Sequence, residues 1–249
     1  MSRWESHESL QQLRAEVTRI ERGMMTPPGE AVLSLGMDEI DRALGEGGLR
    51  RAALHEVSGS AADGFVAMMA GKLAEEDGGL VLWCTTAHGD GGDLYPPGLA
   101  DFGLNPSRLL MVRCQGRAEM LSAAEEGLRG GGLAAVVIEA GEVPDMVAGR
   151  RLQLAAEDGG VAGFMLMRRD ASWRRGAEAL GVMAPYAVAP YVMAPTPAVS
   201  RWLVDHAPGG DGLRWLLTLL RCRAGGAGAW MVDWNEKTNC LAVVPQTDD

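Results

Sequence analysis

Residues 59–64 read Gly-Ser-Ala-Ala-Asp-Gly, after the apolar run 53–57 and before a helix-like run from Phe65. Two glycines five apart in that setting are how a phosphate-binding loop begins. Backbone N–H groups at a helix N-terminus cradle the anion. The loop then needs a lysine to neutralise the terminal phosphates and a hydroxyl to hold Mg2+. Phe65 and Val66 stand in those places and supply neither charge nor hydroxyl. Asp63 adds a carboxylate where phosphate would lie. Near a helix start, Asp has its own role, capping free N–H groups and suiting the positive end of the helix dipole. Lys72 lies two turns along the same helix, roughly 10 Å away by helical rise, too far to stand in. Spacing alone leaves a vestigial phosphate loop (Gly59, Gly64, Phe65, Val66) and an ordinary glycine turn equally open.

Other chemistry-bearing positions are weakened in the same direction. A nucleotide hydrolase of this kind wants an Asp at the end of a buried strand to organise Mg2+; the apolar run 133–138 ends in Glu139. A water-activating glutamate often follows the second strand, but residues 84–88 are Cys-Thr-Thr-Ala-His, with no carboxylate before Asp90. His88, Asp90 and Asp93 lie among glycines without metal-site spacing and read as a polar surface loop. Trp173 among Arg168, Arg169, Arg174 and Arg175 is the one basic–aromatic cluster. It is either a DNA-binding element that stacks a base and grips phosphate, or a solvated loop or docking patch for an acidic partner. No Gly-x-Ser-x-Gly elbow and no nucleophile–base pairing is readable.

The elements that must position these residues alternate. Strands are expected at 53–57, 80–84, 109–112, 133–138 and 163–167. Helices are expected at 65–76, with Phe65, Met68, Met69 and Leu73 on one side, at 117–129, and at 145–157 with Asp145 as cap. A short helix marked by Met37, Ile40 and Leu44 precedes them. This pattern predicts an α/β fold with a mostly parallel sheet flanked by helices. Stretches 199–204, 213–222, 229–234 and 240–244 read as antiparallel C-terminal strands joined by tight turns. Residues 184–197 form an Ala-Pro-Tyr quasi-repeat whose prolines favour extended backbone.

At the N-terminus, Leu10, Leu13, Val17 and Ile20 recur at helical spacing over 6–22. That stripe packs on the body of the protein or serves as a docking or oligomerisation arm. Pro27-Pro28-Gly29 separates it from the rest, so the expected division is an N-terminal helix and linker, 1–29, and a main domain, 30–249.

The 249 residues suffice for one α/β domain with a small appendage. A net charge of −10 argues against a broad non-specific DNA surface and leaves room for a local basic patch. Cysteines 84, 114, 222 and 240 form no Cys-x-x-Cys pair and are expected to be buried or inert thiols. Neither a secretory leader nor a membrane span is expected, because charges are scattered through the N-terminus and prolines interrupt the longest uncharged run.

The order of LGMDEIDRALGEGGLRRAALHEV (35–57), GSAADGFV (59–66), the strand ending in Glu139, GRRLQLAAEDGGVAGFMLMRR (149–169) and LLTLLRCRAGGAGAWMVDW (216–234) resembles the ImuA family. This is a RecA-like, SulA-related bacterial family, and the resemblance spans 33–244. It implies a RecA-like fold and a non-catalytic accessory role in damage-induced translesion DNA synthesis within the SOS response. No cofactor and no metal are implied. The implied partners are an ImuB-like protein, RecA and, indirectly, an error-prone DNA polymerase. Self-association and a weak local DNA contact are compatible with it, in the cytoplasm and at the nucleoid during repair. Against the RecA pattern, Phe65 and Val66 fall at the phosphate-binding Lys and Thr, and Ala87 falls near the catalytic Glu. The N-terminal stripe then corresponds to an arm that packs on a neighbouring protomer. Two other readings stay open: a SulA-like cell-division inhibitor binding FtsZ, and a DNA-stimulated ATPase.

Overall fold

The computed structural model describes residues 32–86, 94–141, 144–167, 195–209, 212–236 and 238–244. A short strand β1 (Val32–Leu33) leads through helix α1 (Asp38–Ala43) to β2 (Leu49–Arg50), which pairs antiparallel with β1. Then come β3 (Leu54–Ser58), α2 (Ala62–Asp77), β4 (Leu80–Thr86), α3 (Pro96–Ala100), β5 (Leu109–Cys114), α4 (Arg117–Gly130), β6 (Leu133–Ala140), α5 (Met146–Gly159) and β7 (Ala162–Met167). Four strands close the described chain: β8 (Ser200–His206), β9 (Arg214–Cys222), β10 (Gly228–Asn235) and β11 (Cys240–Val243).

Strands β3 to β11 form one sheet in the order β11-β10-β9-β8-β3-β7-β6-β4-β5. All pairings from β8 to β5 are parallel; β8–β9, β9–β10 and β10–β11 are antiparallel. The α/β class and the antiparallel C-terminal strands are therefore as expected. One detail differs. The stretch around 199–204 was expected to be antiparallel, yet β8 runs parallel to β3, with His55 opposite Ser200 and Ser58 opposite Leu203. Only its other edge, towards β9, is antiparallel. A sequence pattern of alternating apolar residues does not carry strand direction; the partner does.

Strands with helices on both faces must be apolar on both, and β6 shows it. Val137 faces α2 together with Trp83 of β4, whereas Val136 and Ile138 face α4 and α5 together with Leu82. Helix α5 starts at the expected cap: the Asp145 carboxylate accepts from the Ala148 N–H at 2.8 Å. Helices α4 and α5 are tied by Glu125, which binds Arg129 within α4 and Arg151 of α5.

Helix α2 departs from expectation twice. It begins at Ala62, three residues before Phe65, and it is buried on nearly every side, with Val66, Ala67, Ala70 and Ala74 inside as well as Phe65, Met69 and Leu73. The outer cover comes from the chain after α3. A Cβ on Gly71 would lie 2.6 Å from the Gly103 carbonyl oxygen. Only its last turn, Glu75–Asp77, is exposed, so over Gly64–Ala74 there is little solvent face for the periodicity to reveal.

Under α5, the fully buried Glu56 of β3 pairs with the equally buried Arg201 of β8 at 2.6 Å and accepts from the Thr196 hydroxyl. Burying a carboxylate at no solvent exposure is tolerable only with such partners.

Candidate functional site

The glycine loop joins β3 to α2 at the carboxyl end of the sheet, where open α/β folds place ligands. Its donors at Ser60 and Ala61 are taken by the protein itself. The Ser60 N–H donates to Asp205 Oδ1 at 2.8 Å, and the Ser60 hydroxyl donates to the same oxygen at 3.1 Å. Ser60 Oγ in turn accepts from the His206 N–H at 2.9 Å. The Ala61 N–H donates to the Val204 carbonyl at 3.0 Å, and the Phe65 N–H closes the first helical turn on the Ala61 carbonyl. Strand β8 therefore lies against the loop along Val204–His206, and a carboxylate of β8 takes the place an external anion would need.

This corrects the role expected of Asp63. Asp63 is the second residue of α2, in the first turn, where its charge suits the helix dipole. The capping position is Ala61, which makes no side-chain cap. The carboxylate that satisfies the loop is Asp205, brought there by the β3–β8 pairing.

Both glycines have packing reasons independent of phosphate. Gly59 has φ +117°, and a Cβ there would lie 2.0 Å from the Val204 carbonyl oxygen. A Cβ on Gly64 would lie 2.9 Å from the Phe102 ring and 3.1 Å from Trp215. Phe65 and Val66, in the places of the lysine and the hydroxyl, are core residues exposed by no more than 1%. Phe65 packs against Trp202 at 5.6 Å and edge-on to Trp215 at 6.5 Å. Phe102, Trp215 and Trp234 extend this aromatic cluster, with the two indoles stacked at 5.9 Å. Lys72 donates to the Ser34 carbonyl at 3.1 Å and serves the β1 segment.

Glu139, near the end of β6, faces α2. Trp83 Nε1–H donates to its Oε1 at 2.7 Å and the Thr85 hydroxyl to its Oε2 at 2.8 Å. Both donors are neutral side chains of the adjacent strand β4. Among the described residues, no group of three His, Cys, Asp or Glu side chains is placed to hold a metal ion.

One pairing escaped the sequence. His55 Nδ1 lies 2.7 Å from Ser200 Oγ, and His55 Nε2 lies 2.7 Å from the Arg50 carbonyl oxygen. A carbonyl only accepts, so Nε2 carries the proton and Nδ1 accepts from the serine. Ser200 Oγ also accepts from Trp202 Nε1 at 2.9 Å. This is a hydroxyl–imidazole pair, but at 2% and 1% exposure it is closed to substrate, and its bonds run from indole to hydroxyl to imidazole to backbone. Burial drives the His55 pKa down to about 4. The pairing joins residues 145 positions apart across β3 and β8, and no local spacing announces it.

The four cysteines are free. Cys84 and Cys114 are buried, and burial pushes the Cys84 thiol up to about 12 and that of Cys114 upward, as expected of inert thiols. Cys222 is partly buried and Cys240 is exposed. Cys240 thus departs from the expected burial because it starts the edge strand β11. Several sequence candidates lie outside the described residues: Leu10, Leu13, Val17 and Ile20; Ala87, His88, Asp90 and Asp93; and Arg168, Arg169, Trp173, Arg174 and Arg175. Residues 184–194 of the Ala-Pro-Tyr repeat do so too; its described end, Thr196–Pro197, is buried. Among the described residues, no helix is long and apolar enough to cross a membrane.

No model of a known protein family matches the sequence. The chain is 36% identical over 233 residues to the protein ImuA of Caulobacter vibrioides strain NA1000 / CB15N, covering 87% of this chain and 88% of that protein. The same identity and coverage hold for the protein ImuA of Caulobacter vibrioides strain ATCC 19089 / CIP 103742 / CB 15. At this identity and coverage, the chain belongs to the ImuA family.

Proposed function

We propose that the protein is a non-catalytic accessory factor of damage-induced translesion DNA synthesis, built on a RecA-like scaffold and acting through protein contacts. The observation that carries the absence of catalysis is the Ser60–Asp205 contact together with the burial of Phe65 and Val66. A phosphate approaching this loop meets a carboxylate already holding its donor, and finds no lysine to offset the charge. Binding energy for a nucleoside triphosphate is therefore missing before hydrolysis arises.

In this reading the partners are an ImuB-like protein and RecA, with an error-prone polymerase recruited through them. The N-terminal stripe Leu10, Leu13, Val17 and Ile20 is the docking arm, in a unit 1–29 distinct from the domain 30–249. Arg168, Arg169, Trp173, Arg174 and Arg175 supply a local DNA contact at most.

Two measurements test it. Nucleotide binding is measured by fluorescent ATP titration, with and without single-stranded DNA; no saturable binding is expected, and micromolar binding refutes the non-catalytic reading. Co-purification with ImuB and RecA from damaged cells is compared for the full chain and a chain lacking residues 1–25. Loss of both partners on deletion is expected; undiminished recovery refutes the arm.

A further inference from the structure

We draw no further inference here: the strongest candidate, the apolar face of β9 and β10 turned away from α2, where half-buried Leu216 and Met231 pair outside both cores, carries nothing because nothing in the structure shows what covers it.

Discussion

Asp205 Oδ1 accepts both the backbone N–H and the hydroxyl of Ser60, so the residue after the first glycine of the loop is held by strand β8 and not by a ligand. The neighbouring Gly59 has no room for a side chain, with the Val204 carbonyl oxygen where its Cβ would be. Gly59→Ala is therefore expected to cost about 3 kcal/mol or more, from backbone strain and steric clash together. Urea unfolding of the variant measures it. A loss under about 1 kcal/mol would show that the loop is not pinned as described.

Restoring the missing signature should not restore the chemistry. Phe65→Lys with Val66→Thr recreates the Lys and hydroxyl, but both positions are buried in the core, Phe65 against Trp202 and Trp215. Burying an ammonium there, with the loss of ring packing, is expected to destabilise by about 4 kcal/mol or more. Circular dichroism melts read the destabilisation, and fluorescent ATP titration of any folded fraction should show no gain. Tight nucleotide binding by a stable double variant would contradict the geometry.

His55 makes stability depend on pH in a defined direction. Its pKa is about 4 in the folded protein against 6.5 for the unperturbed group, with burial as the main cause. Between those values the unfolded chain binds the proton and the folded one does not. Stability is full above about pH 6.5 and falls as pH is lowered towards 4, by roughly 3 kcal/mol if the site must stay neutral. Denaturant unfolding at several pH values, wild type against His55→Gln, isolates this contribution. The variant should show a flatter profile; identical slopes would remove His55 as the source.

The Glu56–Arg201 pair should behave as a buried pair whose loss is asymmetric. Arg201→Met leaves the Glu56 carboxylate buried beside Thr196 and is expected to cost about 3–5 kcal/mol. Glu56→Leu with Arg201→Met removes both charges and should recover most of that loss. A double-mutant cycle by urea unfolding checks it. A double variant as unstable as the single would show that the ion pair contributes strongly in its own right.

Much of the architecture was legible in the residues. Apolar runs of five to eight, such as the one in β6, could only be strands covered on both sides, and Asp145 marked the start of α5. The missing lysine and hydroxyl at Phe65 and Val66 already argued against phosphate chemistry. The start of α2 was misplaced because Ala61, Ala62 and Asp63 are as compatible with a helical turn as with an open loop. Whether those residues wind or open depends on what lies beside them.

That neighbour is β8, some 140 residues along the chain. Local residue types settled the alternation of strand and helix and put Phe65 and Val66 where a phosphate loop has its lysine and hydroxyl, because propensity and side-chain charge act over a few positions. Pairing settled the rest: the parallel direction of β8, the capture of Ser60 by Asp205, the His55–Ser200 pair, and the choice of β5 as the exposed sheet edge. Hydrogen bonds and packing between distant segments exist only once the sheet has assembled, and no local spacing encodes which strands become neighbours.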